Sequence, residues 1–194
     1  MNKIILTVLA LAIVAAAQDT TYKDGTGCGG CDSIYRLYYE SGALMFETSS
    51  RGGFADGLKK EYYESGALRA TVVLVHGKYV GYLRVYYESG GLKFDTKMMM
   101  GVPVERKGYY KTGALLFEEP LVNGLRQGVR RDYLADGTLA QESQYVKDHW
   151  HGTVRQYYPS GKLAGTATYK NNKLVGFVQC TDGRKGNDSL DCTK

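Results

Sequence analysis

A glycine returns along this chain at nearly constant spacing. Gly42, Gly66, Gly90, Gly113, Gly137 and Gly161 are separated by 24, 24, 23, 24 and 24 residues. A period in this range leaves few folds open: one unit cannot bury an apolar face alone, so units must stack on their neighbours. Each glycine lies in a common block. The first three read Tyr38-Tyr39-Glu40-Ser41-Gly42-Ala43-Leu44, Tyr62-Tyr63-Glu64-Ser65-Gly66-Ala67-Leu68 and Tyr86-Tyr87-Glu88-Ser89-Gly90-Gly91-Leu92. The later three, around Gly113, Gly137 and Gly161, are looser copies. A second glycine marks the junctions at Gly57, Gly81, Gly128, Gly152 and Gly176. The third-to-fourth junction, around Val102-Pro103-Val104, lacks it and is one residue short, so an irregularity is expected there.

Twenty-four residues are too few for two helices. The Tyr-Tyr approach and Leu exit flank four turn-forming residues, which reads as a β-hairpin with glycine supplying the positive φ. The 25 Gly and 17 Tyr fit short strands joined by turns. The fold class expected is all-β: an elongated single-sheet array of antiparallel β-hairpin repeats, six units over 34–176, with about twelve strands. In this register Tyr39 faces Leu44. Further out, Leu37 faces Phe46, Val85 faces Phe94 and Gly108 faces Phe117. That side is apolar early and weaker in the last two units, where Asp132 meets Gln141 and Gln156 meets Gly165.

The other side carries the first Tyr of every unit: Tyr38, Tyr62, Tyr86, Tyr109, Tyr133 and Tyr157. Two residues upstream each unit has a cation: Arg36, Lys60, Arg84, Lys107, Arg131 and Arg155. Opposite these, within each hairpin, stand Glu47, Thr71, Asp95, Glu118, Glu142 and Thr166. Four cations therefore face an acid, a common structural device. Lys60 and Arg155 face Thr, and with the Tyr column they are the candidate binding residues.

The ends differ from the repeats. Residues 1–17 read as a signal peptide: a basic start at Lys3, an apolar run from Ile4, and Ala15-Ala16-Ala17 before Gln18. The run is too short to span a membrane. The expected localisation is periplasmic or secreted. Residues 18–33 form an N-terminal segment with Cys28-Gly29-Gly30-Cys31, and 177–194 a C-terminal cap with Cys180 and Cys192. In an exported chain these four Cys suggest disulfides. Three pairings are open, the local pairs being simplest. The net charge of +5 is a mild bias and gives no reason to expect a nucleic-acid partner.

The Tyr-Tyr-x-x-Gly-x-Leu block with a second glycine per unit resembles the MORN-2 variant of the MORN repeat, over Tyr35 to Gly176. The resemblance implies an elongated array of β-hairpins. It also implies scaffolding and, in some MORN proteins, association with membrane phospholipid. Many bacterial relatives of this type carry an antitoxin-type label, although an exported protein does not ordinarily meet a cytoplasmic toxin. No catalytic residues come with the family.

Nor do the residues suggest catalysis. The serines Ser41, Ser65, Ser89 and Ser160 recur before the glycines, which marks them as turn residues. His149 and His151 could share one side of a strand, but no third ligand stands at a persuasive spacing. Cys28 and Cys31 have the spacing of a redox pair, yet a strand-like stretch follows where such chemistry uses a helix. No catalytic residue, cofactor or metal is expected. The expected function is a non-enzymatic scaffold binding a protein partner, with an anionic membrane surface as the alternative.

Overall fold

The computed structural model describes residues 20–22, 33–181 and 191–193. The expected signal peptide, and the Cys28 and Cys31 pair, lie outside them. Among the described residues every regular element is a strand. In chain order they are β1 (Thr20–Tyr22), β2 (Ser33–Tyr38), β3 (Leu44–Arg51), β4 (Phe54–Ala55), β5 (Gly57–Tyr62), β6 (Leu68–Val75), β7 (Lys78–Tyr86), β8 (Leu92–Met99) and β9 (Val102–Tyr109). There follow β10 (Leu115–Val122), β11 (Leu125–Arg126), β12 (Gly128–Tyr133), β13 (Leu139–Val146), β14 (His149–Tyr157), β15 (Leu163–Lys170), β16 (Lys173–Thr181) and β17 (Asp191–Thr193). They form one 17-stranded antiparallel sheet. Each strand pairs with its neighbours in sequence, and β4 and β11 are two-residue pieces cut from β5 and β12 by one residue. The sheet is therefore a meander of the six expected hairpins, extended by β1 at one end and by β16 and β17 at the other.

Two kinds of turn alternate. At the tips, the Gly42 N–H donates to the Tyr39 carbonyl at 2.9 Å, and the Tyr39 N–H donates to the Ala43 carbonyl at 2.8 Å. This is a type I turn closed by Gly42 in the left-handed region, φ +83°. The loop is thus three residues long rather than four, which corrects the expected tip pairing: Tyr38, not Tyr39, lies opposite Leu44. A bulge then takes up one residue, and Leu37 faces Phe46 as expected. The correction repeats in every unit, from Tyr62 opposite Leu68 to Tyr157 opposite Leu163. At the junctions, two residues of positive φ link successive hairpins, as at Asn123-Gly124 and Asn171-Asn172. These are the mirror-image turns whose twist matches that of the strands.

The short third junction also has its place. Between β8 and β9, Lys97 faces Glu105 and Met98 faces Pro103, so the bulge holds one extra residue. Between β6 and β7 the corresponding shift spans two. The missing residue is removed from the bulge, and the ladders on either side keep their register.

Strand alternation sorts the side chains into two faces. One holds the core: Ala70, Val72 and Leu74, then Thr96 and Met98, Phe117, Glu119 and Leu121, Ser143 and Tyr145, and Val154 are all buried. Phe94 and Phe117 meet across units with centroids 6.3 Å apart. Farther along, the same column carries Gln141 and Gly165, so the core thins toward the C-terminal units as the sequence suggests.

Candidate functional site

The face opposite the core carries an alternating row of charges. Its first node is Glu47. Arg36 reaches it from the same hairpin at 3.3 Å, Lys60 from the next hairpin at 3.2 Å, and the Tyr62 hydroxyl donates to it at 3.4 Å. Glu142 repeats the pattern with Arg131 at 3.1 Å, Arg155 at 3.7 Å and the Tyr157 hydroxyl at 3.0 Å. Glu118 holds Lys107 at 3.8 Å, Arg131 at 3.7 Å and the Tyr133 hydroxyl at 2.9 Å. Asp95 faces Arg84 and Lys107 across its two ladders.

This geometry corrects the standing of two candidates. Lys60 and Arg155 do face Thr71 and Thr166 within their own hairpins. They are nevertheless ion-paired, because the junction register sets each opposite the acid of the preceding unit, Glu47 and Glu142. Of the Tyr column, Tyr62, Tyr133 and Tyr157 are tied to those acids through their hydroxyls. Tyr109 lies beside Asp95, and Tyr38 stands in the first hairpin, opposite Leu44.

The electrostatics follow. Burial raises the Glu47 carboxyl pKa, but the bonds and charges of Lys60 and Arg36 outweigh it, and the net pKa falls below the ordinary value. At Asp95 burial prevails over Arg84 and Lys107, and the pKa rises. Burial, then the adjoining carboxylates, raise the Tyr62, Tyr109, Tyr133 and Tyr157 hydroxyls.

The second Tyr of the block has a separate role. Its hydroxyl donates to a backbone carbonyl one unit on: Tyr39 to Tyr62 at 2.7 Å, and Tyr63 to Tyr86, Tyr87 to Tyr109 and Tyr110 to Tyr133 each at 2.8 Å. Tyr158 likewise bonds the Cys180 carbonyl at 2.9 Å. Unit five has Leu134 there, without a hydroxyl. The Tyr-Tyr pair thus joins units in two ways: one ring to the acid, one to the backbone.

The core face holds a polar cluster that sequence reasoning missed. Glu119 is fully buried and accepts from Arg106 Nε at 2.8 Å and Arg130 Nη1 at 2.8 Å. Arg130 also pairs with Asp132 at 2.6 Å and lies 4.0 Å over the Phe117 ring. Its pKa is raised: burial works against the charge, and the two carboxylates prevail. An open cleft of about 630 Å³ lies beside it, lined by Arg126, Arg130, Asp132, Gln141, Tyr145 and Gln156 among others. The signal was available, since Arg106, Glu119 and Arg130 share one row of the apolar face.

His149 Nδ1 lies 2.7 Å from the Lys147 carbonyl and His151 Nδ1 3.0 Å from Asn171 Oδ1. Among the described residues no three His, Cys, Asp or Glu groups gather as a metal site would require. Cys180 is buried, and its backbone pairs directly with that of Cys192.

A search of curated proteins returned no match to the chain. Residues 150–171, which make up most of the sixth hairpin, match the family model described as the MORN repeat variant. That hairpin shares its tip turn, tip bulge and Tyr–acid contact with earlier ones. The chain therefore carries a MORN repeat of the variant type at 150–171, at the end of a stacked array of hairpins built to the same plan.

Proposed function

We propose that this chain is an exported, non-catalytic repeat scaffold that holds a protein partner on the face opposite its core. The observation that carries this reading is a series of exposed apolar side chains on that face. Leu58, Val73 and Tyr82 stand there beside the charged row and Val75, Met99 and Val122 farther out at the strand ends, with nothing in the described chain covering them. Exposed apolar side chains gathered on one face mark interaction sites. The leader-like first 17 residues support export. So does the antiparallel pairing of Cys180 with Cys192, which suits a disulfide closing the C-terminal strand pair. An anionic membrane gains less support, because Lys60 and Arg155 already carry acids.

The test is photocrosslinking in the native compartment. A photoreactive residue at Tyr82 should capture a recurring protein, and the same residue at tip position Ser41 should not. Equal labelling at both sites, or none at Tyr82, removes the reading.

A further inference from the structure

The row of acids has a vacancy. Each interior cation of the row has an acid to either side, except at Thr71. Lys60 lies across one ladder from Thr71 and Arg84 across the other. Glu47, Asp95, Glu118 and Glu142 all occupy this place between two cations in their own units. Among the described residues Lys60 therefore has an acid only in Glu47 and Arg84 only in Asp95, with Arg84 also 5.4 Å over the Tyr82 ring. The Tyr hydroxyl that completes a node is present as well. Tyr62, Tyr133 and Tyr157 each bond the acid 15 residues before them, and the residue 15 before Tyr86 is Thr71. Among the described residues the Tyr86 hydroxyl has no side-chain partner.

The surroundings set this position apart from the other nodes. Two residues along from Lys60, Thr71 and Arg84 on the same face stand Leu58, Val73 and Tyr82, exposed by 47%, 42% and 48%, and a bulge sets Val73 opposite Val80 rather than Tyr82. Elsewhere that row is more polar, with Ser49, Lys97, Glu105, Gln144, Thr153 and Thr168 beside Ile34, Pro120 and Val129. Thr166, the other Thr of the series, has Arg155 on one side and Val178 on the other, so only half a node surrounds it.

We propose that Lys60, Arg84 and Tyr86 around Thr71 form a receptor for one carboxylate side chain of a protein partner, with Leu58, Val73 and Tyr82 taking apolar side chains next to it. The repeat itself shows the chemistry of the occupant. Where the chain supplies a carboxylate, two cations and a phenol hold it; at Thr71 the same three groups are set out and the carboxylate must come from elsewhere. The flanking apolar row selects a partner segment in which an Asp or Glu is followed by apolar residues. This rests on the reading of the face as a protein-binding surface.

The probe is a capped peptide with one Glu between Leu and Val residues, compared with its Gln counterpart, titrated into the full chain by NMR. Shifts are expected at Thr71, Lys60, Arg84 and Tyr86, with the Gln peptide about tenfold weaker for loss of the charge-assisted bonds. Thr71→Glu fills the receptor from within: it should raise Tm and abolish peptide binding, while Thr166→Glu should leave binding intact. Equal affinity for the two peptides, or undiminished binding to Thr71→Glu, overturns the proposal. So does displacement of the peptide by phosphatidylglycerol vesicles, which would make a lipid headgroup the occupant. Partner capture at Tyr82 that persists in Thr71→Glu refutes the receptor and leaves the scaffold reading standing. Failure of capture in the unsubstituted protein refutes the scaffold reading alone, since the peptide titration still decides the receptor.

Discussion

The bonds from the second Tyr to the next unit's backbone give a test with two opposite signs. Tyr63→Phe removes one hydroxyl that donates at 2.8 Å to the Tyr86 carbonyl, and leaves the ring in place. The bond is half-buried, so the expected cost is about 1 kcal/mol. For a chain of this size that lowers Tm by about 2–4 °C. Leu134→Tyr does the reverse. It supplies the hydroxyl that unit five lacks, aimed at Tyr157 by the 23-residue offset of units one, two and four. A gain of about 0.5–1 kcal/mol is expected, some of it offset by ordering the new side chain. Because stacked units couple mainly to their neighbours, each effect should be local. Amide exchange should quicken around Tyr86 in the first variant. In the second, urea unfolding followed by the single tryptophan, Trp150, should shift to higher concentration. If Tyr63→Phe changes stability by less than about 0.3 kcal/mol, or if Leu134→Tyr destabilises, the bonds do not link the units as described.

Three further outcomes follow from the same structure. Met100 sits at φ +50° in a junction turn where Asn123 and Asn171 hold the equivalent place, so Met100→Asn should stabilise by about 0.5–1 kcal/mol in a thermal melt. The Glu47 pKa is lowered in the fold, so its contribution is complete above the ordinary value of 4.5 and is lost as pH falls through the lower folded value. Glu47→Gln should therefore cost stability at neutral pH and progressively less in acid; a pH-independent cost contradicts the node. Glu119→Gln should destabilise by about 3 kcal/mol, because it leaves Arg106 and Arg130 short of a buried carboxylate, and denaturant titration would show it.

Much of the sheet was legible in the sequence, because a fixed period and strand alternation together determine partners within a hairpin. Arg36 with Glu47, Lys60 with Thr71 and Arg131 with Glu142 all stand where spacing alone puts them. Tyr39 was misplaced by one residue because a left-handed glycine can close either a three- or a four-residue loop, and a bulge absorbs the difference beyond the tip. Partners between hairpins were harder. Lys60 meets Glu47 only once the Gly52-Gly53 turn and the bulge at Gly57 are both counted, and a glycine in sequence does not say how many residues its bulge takes up. The vacancy at Thr71 depends on that second register: seen from one hairpin it looks like an unpaired lysine, and seen from two it is a missing acid. Glu119 forms no sequence motif, because its partners, Arg106 and Arg130, lie on neighbouring strands rather than nearby in sequence.

The stacking of hairpins into one sheet is the claim on which the nodes, the vacancy and the exposed apolar row all depend. Solution NMR tests it through backbone Overhauser contacts between units, at Phe46 with Glu61 and at Glu118 with Arg131. Continuous pairing predicts inter-unit contacts as strong as those within hairpins, such as Leu37 with Phe46. Contacts confined to the hairpins, with none across the junction ladders, would contradict it.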